Sequence, residues 1–167
     1  MDKLYAPWRD QYVMSHTKND YSGACVFCTL FNKQESDEER YILYKDAMVA
    51  VILNLYPYNA GHLLVVPQNH VENLYELSDE LLSRMIKISA VSTQIVKQAL
   101  ACQAINFGAN FGRIAGAGIP EHVHLHIVPR YSGDTGFFTV IGDAKPISID
   151  LNSVYKKMKP YFKEISL

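Results

Sequence analysis

The chain has 167 residues, a formal net charge of −1 and 49% hydrophobic residues. This length favours one domain with a core of ordinary size, and the near-zero charge gives no general attraction to nucleic acid or to a membrane surface. No stretch reaches the roughly 20 apolar residues of a membrane span, and the amino terminus lacks the basic and apolar regions of a signal peptide. We therefore expect a cytoplasmic location without nucleic-acid or membrane partners.

Two cysteines near the start form the pair Cys25-Val-Phe-Cys28. In a cytosolic chain this spacing favours metal binding or redox chemistry over a structural disulfide. A redox role would fit a βαβ pattern, which the sequence does not show. The third cysteine, Cys102, is expected to be a small buried hydrophobic residue.

Apolar and β-branched residues dominate from Ile42 to Leu53 and again from His62 to Val66, with a turn at 54–61 between them. These segments predict two strands of one antiparallel sheet. A long helix follows, because Ser78 can cap its start and apolar residues recur at three- and four-residue steps until it ends near Ala101.

Two further strands are predicted, at 104–111 and at 122–129, with a glycine-rich loop at 112–121 between them. Residues 153–165 predict a closing helix interrupted by Pro160. The elements together predict an α+β fold, in which an antiparallel sheet carries helices on one face.

The most specific pattern is His122-Val-His124-Leu-His126-Ile-Val128. Alternate side chains of a strand share a face, so the three imidazoles line one side and the apolar residues line the other. Such a row can bind an anion, attack it and move protons, or it can hold a metal. A purely structural role is the less favoured interpretation.

This segment matches the His-x-His-x-His-x-x signature of the histidine triad nucleotide hydrolase and transferase superfamily. The resemblance extends over about residues 22–140 and includes the segments 54–70 and 106–112. Segments 4–9 and 121–137 resemble the diadenosine tetraphosphate phosphorylase-like branch. The resemblance implies a single domain over residues 1–167, with an amino-terminal segment and a carboxy-terminal helical extension around the 22–140 core, and a homodimer.

The resemblance also implies roles for individual residues. His124 would attack the α-phosphate and form a nucleotidyl-histidine, and His126 and His62 would donate hydrogen bonds to phosphate oxygens. Asn110 would bind near the scissile phosphate and Asn54 would contact the ribose. Apart from the resemblance, the loop from Gly116 to Gly118 can either present backbone amides to phosphates or form only a tight turn, and Arg130 can either meet a distal phosphate or remain a solvated charge.

Several triad proteins hold zinc with two cysteines, an upstream histidine and the histidine two places before the nucleophile. The matching set here is Cys25, Cys28, His70 and His122, which suits tetrahedral zinc. Such a zinc would be structural, with His122 as a ligand. Without zinc, His122 becomes a helper of His124.

The sequence therefore predicts an enzyme that cleaves dinucleoside polyphosphates such as diadenosine tetraphosphate, with either water or phosphate as the acceptor. A nucleoside phosphoramidate hydrolase is one alternative. It is disfavoured because the chain has Gly118-Ile-Pro-Glu121 where two other branches carry a glutamine, serine or threonine. A zinc-stabilised nucleotide-binding module with little turnover is the other alternative.

Overall fold

A computed structural model describes residues 24–134, 136, 141–142 and 150–165. The aromatic amino-terminal segment and the end of the 121–137 segment lie outside the described residues. The described residues form three α-helices, α1 (Val26–Asn32), α2 (Asp79–Leu100) and α3 (Leu151–Lys163), and five strands: β1 (Ile42–Lys45), β2 (Val49–Leu53), β3 (Leu63–Pro67), β4 (Ala104–Gly108) and β5 (Leu125–Arg130).

The five strands form one antiparallel sheet in the order β1-β2-β3-β5-β4. Strand β5 is therefore an interior strand, with β3 on one side and β4 on the other. Its His126 pairs with Leu64 of β3 and with Gly108 of β4. The triad strand thus brings residues from three separate parts of the chain to one surface.

The main hydrophobic core lies between one face of the sheet and the two long helices, α2 and α3, which confirms the predicted α+β fold. The short helix α1 contacts the opposite face, where Phe27 packs with Ile42, Ile52 and Leu64. This second face also carries the triad histidines. None of the helices described here is both long and apolar enough to cross a bilayer.

The prediction of one strand from Ile42 to Leu53 was wrong, because a tight turn divides it into β1 and β2. Asp46 makes this turn: its carboxylate accepts hydrogen bonds from the amides of Met48 and Val49, both at 2.8 Å. Aspartate commonly stabilises a turn in this way. The charged pair Lys45-Asp46 interrupts the apolar segment at this turn.

The other boundaries also shift. Strand β4 ends at Gly108 rather than at residue 111, and the regular part of the triad strand begins only at Leu125. The predicted interruption of the last helix at Pro160 was wrong as well, since α3 continues to Lys163. Pro160 lies on the exposed side, and the buried side chains that hold the helix against the core are Val154, Tyr155, Met158 and Phe162.

Candidate active site and metal site

The three triad histidines are buried on the face of the sheet that α1 covers. Their exposed fractions are 0% for His122, 6% for His124 and 9% for His126. The ring centroids of His124 and His126 lie 4.9 Å apart, and the Phe27 ring makes T-shaped contacts with both His122 and His124. The predicted sharing of one face is confirmed, although only His126 lies in the regular strand.

The hydrogen bonds of His124 define which of its nitrogens is free to react. Its Nδ1 lies 2.8 Å from the carbonyl oxygen of His122. A carbonyl can only accept, so Nδ1 carries the proton and donates it. In the neutral ring, Nε2 then holds a lone pair, as a nucleophile requires.

The tautomer of His62 follows from two donors at one of its nitrogens. The backbone N–H of Tyr58 donates to its Nδ1 at 3.1 Å, and the side-chain amide of Asn54 lies 3.2 Å from the same atom. Because Nδ1 accepts, neutral His62 carries its proton on Nε2. This Nε2 lies 2.9 Å from Nδ1 of His126 and donates to it.

His126 therefore carries its own proton on Nε2. That atom is buried and has no hydrogen-bond partner among the described residues. Buried donors normally find a partner, and one that does not is a candidate for ligand binding. The chain of bonds from the Tyr58 amide through His62 to His126 thus presents an N–H group to an incoming acceptor.

Burial keeps these rings neutral. It lowers the pKa of His62 to about 3, with the charges of His126 and His124 adding to the effect. It lowers the pKa of His126 to about 4, with His124 as a second cause. Burial also lowers the pKa of His124, partly opposed by its bond to the His122 carbonyl. At neutral pH the site therefore offers one lone pair and one N–H without imidazolium charge.

His126 opens onto a cavity of about 420 Å³ over β4 and β5. This is within the range of about 300–1,000 Å³ found for small-molecule sites. The predicted residues Asn110 and Arg130 line it, whereas Gly118 is not part of its lining. The remaining lining residues are Tyr58, Asn106, Phe107, Gly108, Ala109 and Val128.

The predicted metal ligands come together on the same face. The ligand atoms of Cys25, Cys28, His70 and His122 all lie within 4.8 Å of one another. The distance between Sγ and Nδ1 is 3.3 Å from Cys25 to His122, 3.4 Å from Cys28 to His70 and 3.7 Å from Cys28 to His122. Bonds of about 2.3 Å to sulfur and 2.0–2.1 Å to nitrogen in a tetrahedral zinc site place such atoms about 3.5 Å apart.

The state of His122 also suits a metal. Its Nε2 donates to the carbonyl of Pro67 at 2.9 Å, so in the neutral ring Nδ1 has its lone pair toward the two cysteines. A backbone acceptor behind a ligating histidine is typical of zinc sites. Burial raises the pKa of the Cys25 thiol, and a bound cation would oppose that effect by stabilising the thiolate.

Sequence reasoning missed three contributors to the site. The ring of Tyr58 stacks on that of His126 with an interplanar angle of 14°, Phe27 covers the triad, and Asn106 lines the cavity. Tyr58 lies within the 54–70 segment but resembled an ordinary turn residue. Tyr58 contributes a backbone N–H and a stacked ring, and the sequence pattern around it predicts neither contact.

Comparisons with known proteins identify similar chains. A family model of the HIT domain matches residues 35–133. An AP-4-A phosphorylase from Mycobacterium tuberculosis is 35% identical over 150 residues, which cover 88% of this chain and 77% of the relative. An asymmetrical bis(5'-nucleosyl)-tetraphosphatase from Schizosaccharomyces pombe is 33% identical over 93 residues, which cover 56% of this chain and 50% of the relative.

The fold has solved counterparts. A hypothetical histidine triad nucleotide-binding protein from Sulfolobus tokodaii superimposes with a TM-score of 0.67 at 28% identity. The match covers 83% of this chain and 92% of that protein.

Proposed function

Because this chain belongs to the HIT domain family, we propose that it cleaves dinucleoside polyphosphates through a nucleotidyl intermediate on His124. Diadenosine tetraphosphate is the leading candidate substrate. The observation that carries this proposal is the pair of opposite groups in the site: a free lone pair on His124 Nε2 and an unpartnered N–H on His126 Nε2.

In the first step, Nε2 of His124 attacks the α-phosphorus. A nitrogen–phosphorus bond forms while the bond from that phosphorus to the bridging oxygen breaks, and the distal nucleotide leaves with the electron pair. In the second step, an oxygen of water or of inorganic phosphate attacks the same phosphorus. The nitrogen–phosphorus bond then breaks, its electron pair returns to His124, and the acceptor's proton passes to solvent.

The relatives support this class of chemistry. The Mycobacterium tuberculosis protein is a phosphorylase of AP-4-A and the Schizosaccharomyces pombe protein is a tetraphosphatase, so we assign this chain as a nucleotide hydrolase or phosphorylase. Splitting one displacement into two steps is the usual advantage of a covalent intermediate.

The other residues take supporting roles in this proposal. The N–H of His126, held by His62, stabilises charge that develops on a phosphate oxygen. Asn110 and Arg130 line the cavity beside it and bind phosphates. Asn54 contacts the ribose while it also bonds to His62. Backbone amides near Gly118 remain phosphate ligands in the proposal, although this residue does not line the cavity.

The test is chromatographic analysis of products from diadenosine tetraphosphate, with and without inorganic phosphate. ADP plus ATP formed only with phosphate identifies a phosphorylase, and AMP plus ATP in both tubes identifies a hydrolase. His124→Gln is the control, because glutamine occupies a similar volume without a nucleophilic nitrogen. The proposal would be refuted if products persisted in His124→Gln or if the wild type gave none. The wild-type protein would then be tested with nucleoside phosphoramidates and for nucleotide binding alone.

We also propose a structural zinc held by Cys25, Cys28, His70 and His122. When bound, it would hold the start of α1 against the segment that leads from His122 to His124, with all four positions filled by protein. Elemental analysis of the purified protein tests this proposal: about one zinc per chain is expected for the wild type.

The homodimer implied by the family resemblance remains a proposal, and it is supported by the exposed edge of the sheet. Strand β4 is one of the two edge strands, and its Phe107 is 50% exposed. Edge strands readily pair with a second chain. Light scattering coupled to size-exclusion chromatography tests the dimer, and cell fractionation tests the predicted cytoplasmic location.

A further inference from the structure

The carboxylate of Asp134 connects two parts of the molecule, although it lies outside the triad and the zinc cluster. It is only 9% exposed. It accepts hydrogen bonds from Nε and Nη2 of Arg130 at 2.7 and 3.0 Å, from the side-chain amide of Asn59 at 2.7 Å, and from the backbone N–H of Tyr131 at 3.2 Å. One buried carboxylate thus joins the end of β5 to the loop before β3.

The first connection leads to the histidines. Asn59 is 6% exposed, and its side-chain amide also donates to the carbonyl of Pro129 at 2.8 Å. The backbone carbonyl of Asn59 accepts a hydrogen bond from the backbone N–H of His62 at 3.1 Å. The preceding residue, Tyr58, supplies the N–H that fixes the tautomer of His62. The position of Asn59 therefore determines the position of the groups that align His62 and His126.

The second connection leads to the cavity. Asp134 holds two N–H groups of the Arg130 guanidinium, and a third donates to the side-chain oxygen of Asn106 at 2.9 Å. Arg130 and Asn106 both line the cavity onto which His126 opens. A guanidinium fixed at three of its five N–H groups is held in one plane and is preorganised for an anion.

We propose that Asp134 is a positioning residue that couples two events at this site: binding of the distal phosphates by Arg130 and alignment of the His62–His126 pair. Distal phosphates are those that leave with the departing nucleotide, or the inorganic phosphate that replaces them. The choice of ligand rests on the proposed function. The alignment of the histidine pair does not.

The central variant is Asp134→Asn, which keeps the size of the side chain but replaces one acceptor oxygen with an NH₂ group. That group would face the donors of Arg130 and Asn59. Glu35→Gln is the matched control, because it also removes one carboxylate from an ion pair, with Lys33 at 3.3 Å, on an exposed surface. Two variants separate the connections: Asn59→Ala disturbs the loop, and Arg130→Lys disturbs the guanidinium.

The first readout needs no substrate. Nuclear magnetic resonance of the histidine rings detects the proton on His62 Nε2, which is buried and hydrogen-bonded in the wild type. We expect this signal to be lost or shifted in Asp134→Asn and in Asn59→Ala, and to be retained in Glu35→Gln and Arg130→Lys. An unchanged signal in folded Asp134→Asn would overturn the coupling to the histidines.

The second readout compares KM and kcat for diadenosine tetraphosphate with those for a p-nitrophenyl ester of AMP, which has no distal phosphates. Asp134→Asn should raise KM for the tetraphosphate about tenfold, the equivalent of one charge-assisted hydrogen bond. It should change KM for the ester by less than about twofold and lower kcat for both substrates. Equal changes of KM for both substrates would overturn the assignment of Arg130.

These readouts separate the two proposals. If the wild type cleaves neither substrate, the proposed function fails, while the ring-proton signal still tests the histidine alignment. If Asp134→Asn does not fold, Asn59→Ala must still lose the ring-proton signal and Arg130→Lys must still raise KM for the tetraphosphate alone. Absence of either effect refutes the coupling.

Discussion

Acidification from pH 7 to pH 5 should destabilise this protein through the buried pair His62 and His126. Their pKa values in the folded state are about 3 and about 4, whereas an unfolded chain has a histidine pKa of about 6.5. The unfolded state therefore binds more protons throughout this interval. The stability that both neutral rings contribute is fully present above about pH 6.5 and is lost as the pH falls through their folded-state values.

The magnitude follows from the same values. Between pH 7 and pH 5, proton binding stabilises the unfolded chain by about 2 kcal/mol for each of the two histidines. The folded chain gains almost none of this, because both rings stay neutral. The pair together should lower the free energy of unfolding by about 4 kcal/mol. This is a large fraction of the roughly 5–15 kcal/mol that stabilises a typical domain.

Urea unfolding at both pH values measures the effect in the wild type, in His62→Gln, in His126→Gln and in the double variant. Each single variant should lose about 2 kcal/mol less stability on acidification than the wild type, and the double variant about 4 kcal/mol less. The zinc ligands and the remaining histidines are the same in all four proteins, so their contribution cancels. A double variant that loses as much stability as the wild type would refute the reasoning.

Three further predictions concern single side chains. His124→Gln should lower kcat for diadenosine tetraphosphate by at least about a thousandfold. Substrate labelled at the α-phosphate should transfer its label to the wild-type protein and not to the variant. A labelled variant would show that another residue is the nucleophile. Cys28→Ser should reduce the zinc content and lower Tm. A chelator should lower Tm of the wild type much more than Tm of the variant, and equal responses to the chelator would argue against a structural metal. Gly61→Ala should destabilise the protein by about 1–3 kcal/mol, because Gly61 has φ +81° and an added Cβ would collide with Leu100 of α2. Unfolding curves test this, and in a Leu100→Ala background the cost of Gly61→Ala should be smaller by the part due to the collision.

Much of the fold could be predicted because its elements repeat simple periods. Helix α2 begins where the capping residue predicted it, since the Ser78 hydroxyl accepts from the amide of Leu81 at 3.3 Å. The two faces of β2 could not be told apart from hydrophobicity, because Ala50 and Ile52 pack against α1 while Val49 and Val51 pack against α2 and α3. When both faces of a strand are buried, the apolar run has no period.

The sequence predicted most of the residues of the candidate site, but it predicted fewer of the contacts between them. The four proposed zinc ligands converge as expected, and His62, Asn110 and Arg130 lie around the triad. Gly118 was assigned with them only from its place in a glycine-rich loop, and the cavity does not include it. The bond between Asp134 and Asn59 was missed because the two residues are 75 positions apart in the sequence.

The sequence alone determined which chemical groups are available and which face of a strand they share, because side chains of an extended chain alternate regardless of what surrounds them. Only the tertiary structure decided where each proton resides. The proton on His126 Nε2 depends on His62, which lies 64 residues earlier, and on the backbone amide of Tyr58 that directs His62. A neutral imidazole has two nearly equivalent tautomers, so its preference is determined by neighbours that meet only when the chain is folded.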